Sequence, residues 1–203
     1  MQIDILTLFP EMFAGFLEHS IIGRAREVGT IEINLVQWRD YAVDKHRVVD
    51  DSPYGGGAGM VLMCDPLFRA LEDLKTEEET APETQVIYLT PQGELFSQQI
   101  ANEIAEDAEH LVLVCGRYEG VDQRAHMLFD REISIGDYVL TGGELPAAVL
   151  TDAVVRHIPG VVGKVQSTIE ESHMDGVLDH PHYTRPDEFR GMEVPDILLG
   201  GHH

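Results

Sequence analysis

The stretch "HLVLVCGRYEG", residues 110–120, runs six largely apolar positions straight into a polar turn framed by two glycines. A short apolar run of this kind reads as a strand buried on both faces. The same pattern recurs on either side of it. "QVIYL" (85–89) enters "TPQGE" (90–94), and "DREISIG" (130–136) enters "GDYVLTGGELP" (136–146). Earlier in the chain, "IDILTLF" (3–9) and "IEINLVQW" (31–38) also read as strands. Between the strands lie helical patterns. "EMFAGFLEHSIIGRAREVG" (11–29) predicts one or two short helices after Pro10, ending at Gly29. "DPLFRALEDLK" takes Asp65 as its N-cap, and "SQQIANEIAEDA" takes Ser97. "GVDQRAHMLF" predicts another helix, and "LPAAVLTDAVVRHIPG", with Pro146 near its start, a long one. Strands alternating with helices make an α/β domain: a mainly parallel sheet flanked by helices.

Parallel α/β sheets bind ligands outside the carboxyl ends of their strands. Three strands here deliver glycine-bearing loops to that edge, and "GGGAG" (55–59) is a candidate fourth. Two familiar phosphate cradles are excluded. The P-loop ends in Gly-Lys-Ser/Thr, whereas this loop reads Gly59-Met60-Val61. The dinucleotide fingerprint directly follows the first strand, which here is followed by "FPEMF". The loops share backbone N–H and C=O groups and few basic side chains. That favours a neutral or zwitterionic ligand over a triphosphate.

The 203 residues suffice for one full domain and the start of a second. No apolar run approaches a membrane span, and no export signal is visible. Cys64 and Cys115 sit in apolar contexts and read as reduced core residues, so a cytoplasmic location is expected. Trp38 reads as core as well. The 36 acids outnumber the 14 lysines and arginines, giving −22. The sum argues against a polyanionic partner, but the distribution is uneven. "LEDLKTEEETAPE" (71–83) concentrates acids, whereas Arg39, Lys45 and Arg47 precede the glycine loop. Arg117 and Arg124 flank "GRYEG", and Arg156 and Lys164 follow the last helix. After Gly160 the periodicity dissolves into a linker and a Pro- and His-rich end.

Taken in order, "LFPEMF" (8–13), "VDDSPYGGGAGM" (49–60), "VCGRYEGVDQR" (114–124), "SIGDYVLTGGELPA" (134–147), "RHIPGV" (156–161) and "LDHPHYTRP" (178–186) resemble the bacterial tRNA (guanine-N1)-methyltransferases, the TrmD family of the SPOUT class. The resemblance spans the chain. It implies a sheet whose C-terminal part is tied in a deep trefoil knot, a rare exception to unknotted topology. It also implies S-adenosylmethionine held by the knot loops, in a homodimer whose active sites use both subunits. Carried over by position, the cofactor pocket would be Tyr88, Leu89, Thr90, Pro91, Gly116, Tyr118, Glu119, Gly120, Ser134, Ile135, Gly136, Tyr138, Leu140, Gly142 and Gly143. Tyr54 and Gly59 would approach the target guanine. The implied organisation is a knotted cofactor-binding domain over 1–160, a flexible linker over 161–176, and over 177–203 the beginning of a truncated small helical C-terminal domain that binds tRNA.

Methyl transfer from a sulfonium to a ring nitrogen needs the reactants held in line. Guanine N1 carries a proton at neutral pH, so a carboxylate near it is the expected general base. Charge then builds on O6, where a fixed cation stabilises the transition state. Arginine matches the O6/N7 edge of guanine. The family's base is an aspartate in the linker; in "IEESHMDG" its position holds Glu171, with Glu170 and Asp179 as alternatives. One added methylene moves a carboxylate by about an ångström, which can cost ~100-fold in rate. Read on its own, the stretch is a solvated acidic linker. Arg156 is the candidate O6 donor, though a cation at a helix C-terminus also simply suits the dipole. Glu119 would lie beside the methionine end, and Glu119 with Glu171 would form a carboxylate pair for Mg²⁺. The tRNA anticodon arm would meet His46, Arg47, Asp179, Tyr183 and Arg185, with Arg39, Lys45 and Lys164 also available. The activity implied is methylation of N1 of the guanosine 3′-adjacent to the anticodon, position 37. The alternative is a knotted S-adenosylmethionine- and RNA-binding protein with weak or no catalysis.

Overall fold

The computed structural model describes residues 1–75, 84–162 and 180–200. The chain divides into two units, Met1–Thr168 and Ile169–His203. In the first, β1 (Gln2–Thr7) is followed by a 3-10 turn at Pro10–Phe13, α1 (Ala14–Glu18), α2 (Ser20–Glu27) and β2 (Glu32–Gln37). A small ribbon of β3 (Asp50–Asp51) and β4 (Val61–Leu62) precedes α3 (Cys64–Leu74). Then come β5 (Thr84–Leu95), α4 (Gln98–Asp107), β6 (His110–Cys115), β7 (Arg131–Ser134) and α5 (Glu144–Val155).

The main sheet has the order β2-β1-β6-β5-β7 with every pair parallel. Alternation along β6 explains why the run at 110–115 is apolar throughout. Leu111, Leu113 and Cys115 join the cluster formed with α1, α2, α4 and α5, while Val112 and Val114 join the cluster on the other face with Trp38 and α3. The expected parallel α/β sheet covered on both faces is therefore the architecture of the first unit.

Four local expectations need correction. Asp65 does not cap α3: Met63 is the N-cap, and Asp65 lies in the first turn, where it accepts from Arg69 Nε at 3.0 Å. Ser97 does cap α4, its hydroxyl accepting from the Ile100 N–H at 3.4 Å. The helix expected over 120–129 is only a 3-10 turn, Gln123–Leu128. Residues through Asp122 are already tied to Leu62, which leaves eight before β7, and a helical crossover takes a dozen or more. "TPQGE" is not simply a loop, because β5 runs on to Leu95. Leu89 and Glu94 both pair with Ile133, so residues 90–93 bulge out of the ladder at the carboxyl edge. Finally, Cys115 is buried as expected, but Cys64 is only partly so.

Most of the expected linker, and with it Lys164, Glu170, Glu171 and Asp179, lies outside the described residues. In the second unit, β8 (Glu188–Phe189) and β9 (Met192–Glu193) form an antiparallel hairpin turning at Arg190-Gly191, followed by the short α6 (Asp196–Leu199). Tyr183 and Arg185 precede the hairpin and are exposed.

Candidate active site

At the carboxyl edge of the first unit's sheet, the bulged part of β5 and the segments after β6 and β7 enclose a cleft of about 410 Å³. Every residue that the sequence assigned to a cofactor pocket lines it, from Tyr88–Pro91 through Gly116 and Tyr118–Gly120 to Ser134–Gly136, Tyr138, Leu140, Gly142 and Gly143. Gln92, Arg117, Val121, Gln123, His126, Ile133, Val139, Thr141 and Pro146 complete the lining; the sequence did not assign them individually to the cofactor pocket, although Gln92, Arg117, Val139, Thr141 and Pro146 lie in the loops it brought to this edge.

Backbone contact holds the cleft together. The Gly143 N–H donates to the Gly116 carbonyl at 2.9 Å, and Arg117 and Gly142 form an antiparallel bridge. A Cβ on Gly143 would sit 2.6 Å from Cys115 Cα, so only glycine allows this approach. On the other side, the ribbon β3–β4 carries the loop with Tyr54 and the glycines. Glu119 N–H donates to Met60 O at 3.0 Å, Leu62 N–H to Gly120 O at 2.9 Å, and Asp122 N–H to Leu62 O at 2.9 Å. The fourth glycine-rich loop thus joins the same edge. Gly59, at φ +92°, lies against the Glu119 side chain, with its Cβ position 2.5 Å from Oε1. Tyr54 is fully exposed.

The cleft walls are built by packing. Tyr88 stacks on Phe129 with ring centroids 4.7 Å apart, and His126 packs edge-on to both rings. His126 Nδ1 meets Glu132 Oε1 at 2.8 Å. Burial raises the Tyr88 phenol above its ordinary pKa and pushes the Cys115 thiol well up, so both stay protonated at neutral pH. Asp122 is held well below the usual carboxylate range by hydrogen bonds from the Arg124 side chain and backbone. Behind the cleft floor, Glu144 accepts from Thr7 Oγ1 at 2.8 Å and pairs with Arg117.

The remaining candidates lie elsewhere. Arg156 follows the last residue of α5, which starts at the cleft; twelve residues carry a helix about 18 Å. It lines a separate hollow with Phe16, Gln98, Ala148, Val149, Asp152 and Ala153, so one chain does not bring Arg156 to Glu119. Lys45, His46 and Arg47 project from a turn held by Asp44, whose carboxylate accepts from the His46 and Val48 N–H groups at 2.7 and 2.9 Å. Those backbone donors, Val48 first, keep Asp44 below its ordinary pKa. Arg47 also pairs with Asp40 at 2.9 Å on the surface. Among the described residues no cluster of three or more His, Cys, Asp or Glu offers a metal site, and no helix is long and apolar enough to cross a membrane.

Comparison with known proteins points the same way as this edge. The family profile described as tRNA (Guanine-1)-methyltransferase TrmD matches residues 1–203. A protein of Moorella thermoacetica named tRNA (guanine-N(1)-)-methyltransferase is 58% identical over 204 residues, covering 100% of this chain and 81% of that protein. Proteins of the same name from Staphylococcus carnosus and Bacillus cereus are 57% and 56% identical over 205 residues, covering 81% and 82% of their lengths. Matched along its whole length and at this identity, the chain belongs to the tRNA (guanine-1)-methyltransferase family.

Proposed function

We propose that this chain transfers a methyl group from S-adenosylmethionine to N1 of the guanosine at position 37 of tRNA, next to the anticodon. The observation that carries the reading is the cleft at the carboxyl edge, hydrogen-bonded along its Glu119 side to the glycine-rich loop. Its volume suits a small ligand. Its lining of backbone amides and carbonyls with Tyr88, Leu89, Ile135 and Leu140 suits a nucleoside bearing an uncharged-to-zwitterionic tail. S-adenosylmethionine supplies the electrophilic methyl group. Gly59 and Tyr54 flank the place where a base would meet it, and Glu119 faces the cation of the donor's amino-acid end. Glu171 takes the N1 proton, and Arg156 stabilises the charge on O6.

Because Arg156 lies at the far end of α5 from Glu119, this mechanism requires a homodimer in which a second copy supplies Arg156. The outer face of α5 supports that requirement. Leu145 and Val149 are exposed there, one turn apart, a pair of apolar side chains suited to burial against a partner. The bridge between the loops at Arg117 and Gly142 fits a trefoil knot. Mg²⁺ would take Glu119 and Glu171 as its carboxylates; it commonly keeps several waters, so one or two such ligands suffice. The tRNA anticodon arm would meet His46, Arg47, Asp179, Tyr183 and Arg185, and the site of action would be cytoplasmic.

The test is methyl transfer from labelled S-adenosylmethionine to tRNA carrying guanosines at positions 36 and 37, with and without Mg²⁺, the product nucleoside being mapped by mass. N1-methylguanosine at position 37 is expected, and Glu171→Gln should lower the rate by about 10²–10⁴-fold while Glu170→Gln does not. Tight cofactor binding with no transfer would replace the reading with an RNA-binding protein that keeps the pocket.

A further inference from the structure

Among the described residues lining the cleft, Arg117 is the only lysine or arginine. Its simplest reading is a cation waiting for the carboxylate of a bound amino-acid group, but each of its three nitrogens already has a partner within the protein. Nη1 donates to the Thr141 carbonyl at 3.1 Å and Nε to Glu144 Oε1 at 3.3 Å. Nη2 lies 2.9 Å from Glu144 Oε2, close enough for an ion pair though not aligned for a hydrogen bond, and donates to Met12 Sδ at 3.4 Å. The guanidinium carbon sits 4.4 Å from the centre of the Phe9 ring, so an aromatic face covers it as well.

Glu144, the other half of the pair, is buried at 2% exposure and heads α5, where an acid suits the helix N-terminus. It is fixed in turn by the Thr7 hydroxyl at 2.8 Å, and that oxygen also accepts the Phe9 N–H at 3.0 Å. Burying such a pair is weak evidence of stabilisation, because apolar residues of similar volume often do as well. What the pair adds is geometry. It joins the end of β1, the turn at 9–12, the loop after β6 and the Thr141 carbonyl within the loop that closes over the cleft. A planar fork can hold a carboxylate and a carbonyl at once, which an ammonium cannot.

We infer that Arg117, Glu144 and Thr7 form a clamp that sets the loop 136–143 over the cleft, and that Arg117 is a positioning residue with no direct contact to the ligand's amino-acid group. This rests on the proposed reading that the cleft takes an adenosyl compound. The two ideas separate when two ligands are compared by calorimetry alongside thermal melting. S-adenosylhomocysteine carries the amino-acid group; 5′-methylthioadenosine has the same nucleoside thioether without it.

The unaltered chain binds both ligands. Arg117→Ala and Glu144→Gln each weaken both by about tenfold or more, by the same factor for the two ligands, because the loop they share is misplaced. Arg117→Lys falls between. Glu144→Gln is nearly isosteric and keeps the test open if Arg117→Ala does not fold. Loss confined to S-adenosylhomocysteine in Arg117→Ala would make Arg117 a ligand contact and overturn the inference. A lower melting temperature with both affinities unchanged would make the clamp merely structural, and overturn it equally. If the unaltered chain binds neither ligand, the reading of the cleft itself falls and takes the inference with it.

Discussion

Two carboxylates are buried at opposite edges of the same sheet, and they do different work. Asp4, 3% exposed, sits near the amino ends of the strands. It accepts from Gln2 Nε2 at 3.1 Å and Asn34 Nδ2 at 3.0 Å, and it meets His110 Nε2 at 2.8 Å; His110 Nδ1 is 2.8 Å from Thr84 Oγ1. All these partners belong to β1, β2, β5 and β6. Glu144, at the carboxyl edge, also pairs with a base and accepts directly from the Thr7 hydroxyl, but its base Arg117 belongs to a loop and holds another loop. Similar polar chemistry therefore fastens strands at one edge and shapes a cleft at the other. Burial alone does not say which; the elements to which the partners belong, strands for Asp4 and loops for Arg117, do.

The largest break in this contrast should come from Gly143→Ala. Its new Cβ would lie 2.6 Å from Cys115 Cα and 2.9 Å from Gly116 N, backbone atoms that cannot turn aside. Separating the two loops by on the order of 1 Å should lower kcat/KM for methyl transfer by about 100-fold. An unchanged rate would mean that their closeness is incidental.

Asp4→Asn should act on the opposite edge, costing about 1–3 kcal/mol in urea denaturation while leaving S-adenosylhomocysteine affinity unchanged. It should also alter the acid limb of stability. Burial pushes the Asp4 carboxyl up, but hydrogen bonds from His110, Asn34 and Gln2 and the His110 charge outweigh it, leaving a pKa below the ordinary 3.8. A carboxylate depressed in the folded state contributes stability fully above its unfolded pKa and loses it as pH falls through the folded one. The unaltered chain should therefore lose this part of its stability below about pH 4, and Asp4→Asn should lack that slope.

Ser97→Ala removes a helix cap outside both clusters and should cost only about 0.5–1 kcal/mol, without distinguishing the edges. The smallest effect concerns Tyr41, which donates to Asp73 Oδ2 at 2.7 Å. Its phenol is pushed up to about 12, first by burial, then by Asp73 and by nearby acids including Asp4. In ultraviolet titration, Asp4→Asn should move that transition slightly downward. No movement would indicate that the Asp4 charge is not felt at the Tyr41 phenol.

The strands and the edge they share were legible because apolar alternation and glycine placement are local signals. Leu111 to Cys115 face two cores in turn, as an apolar run between helices requires. The resemblance carried the cleft residues to within their neighbours. The clamp was not legible: Thr7 and Glu144 stand 137 residues apart, and nothing local distinguishes Glu144 from an ordinary acid in a first helical turn. The bulge at 90–93 was equally hidden, since "TPQGE" carries the Pro and Gly of a plain turn. The helix expected at 120–129 failed because tertiary hydrogen bonds to Leu62 took its first residues. Arg156 was correctly placed at a helix end, but sequence alone did not show that this end lies a helix length from the start of α5 at the cleft.

The measurement that bears most directly on the account is the calorimetric affinity for S-adenosylhomocysteine of the unaltered chain, Asp4→Asn and Glu144→Gln, taken with their melting temperatures. The first two should bind alike, although Asp4→Asn melts lower, and Glu144→Gln should bind about tenfold more weakly. No binding by the unaltered chain, or equal losses in both variants, would contradict this.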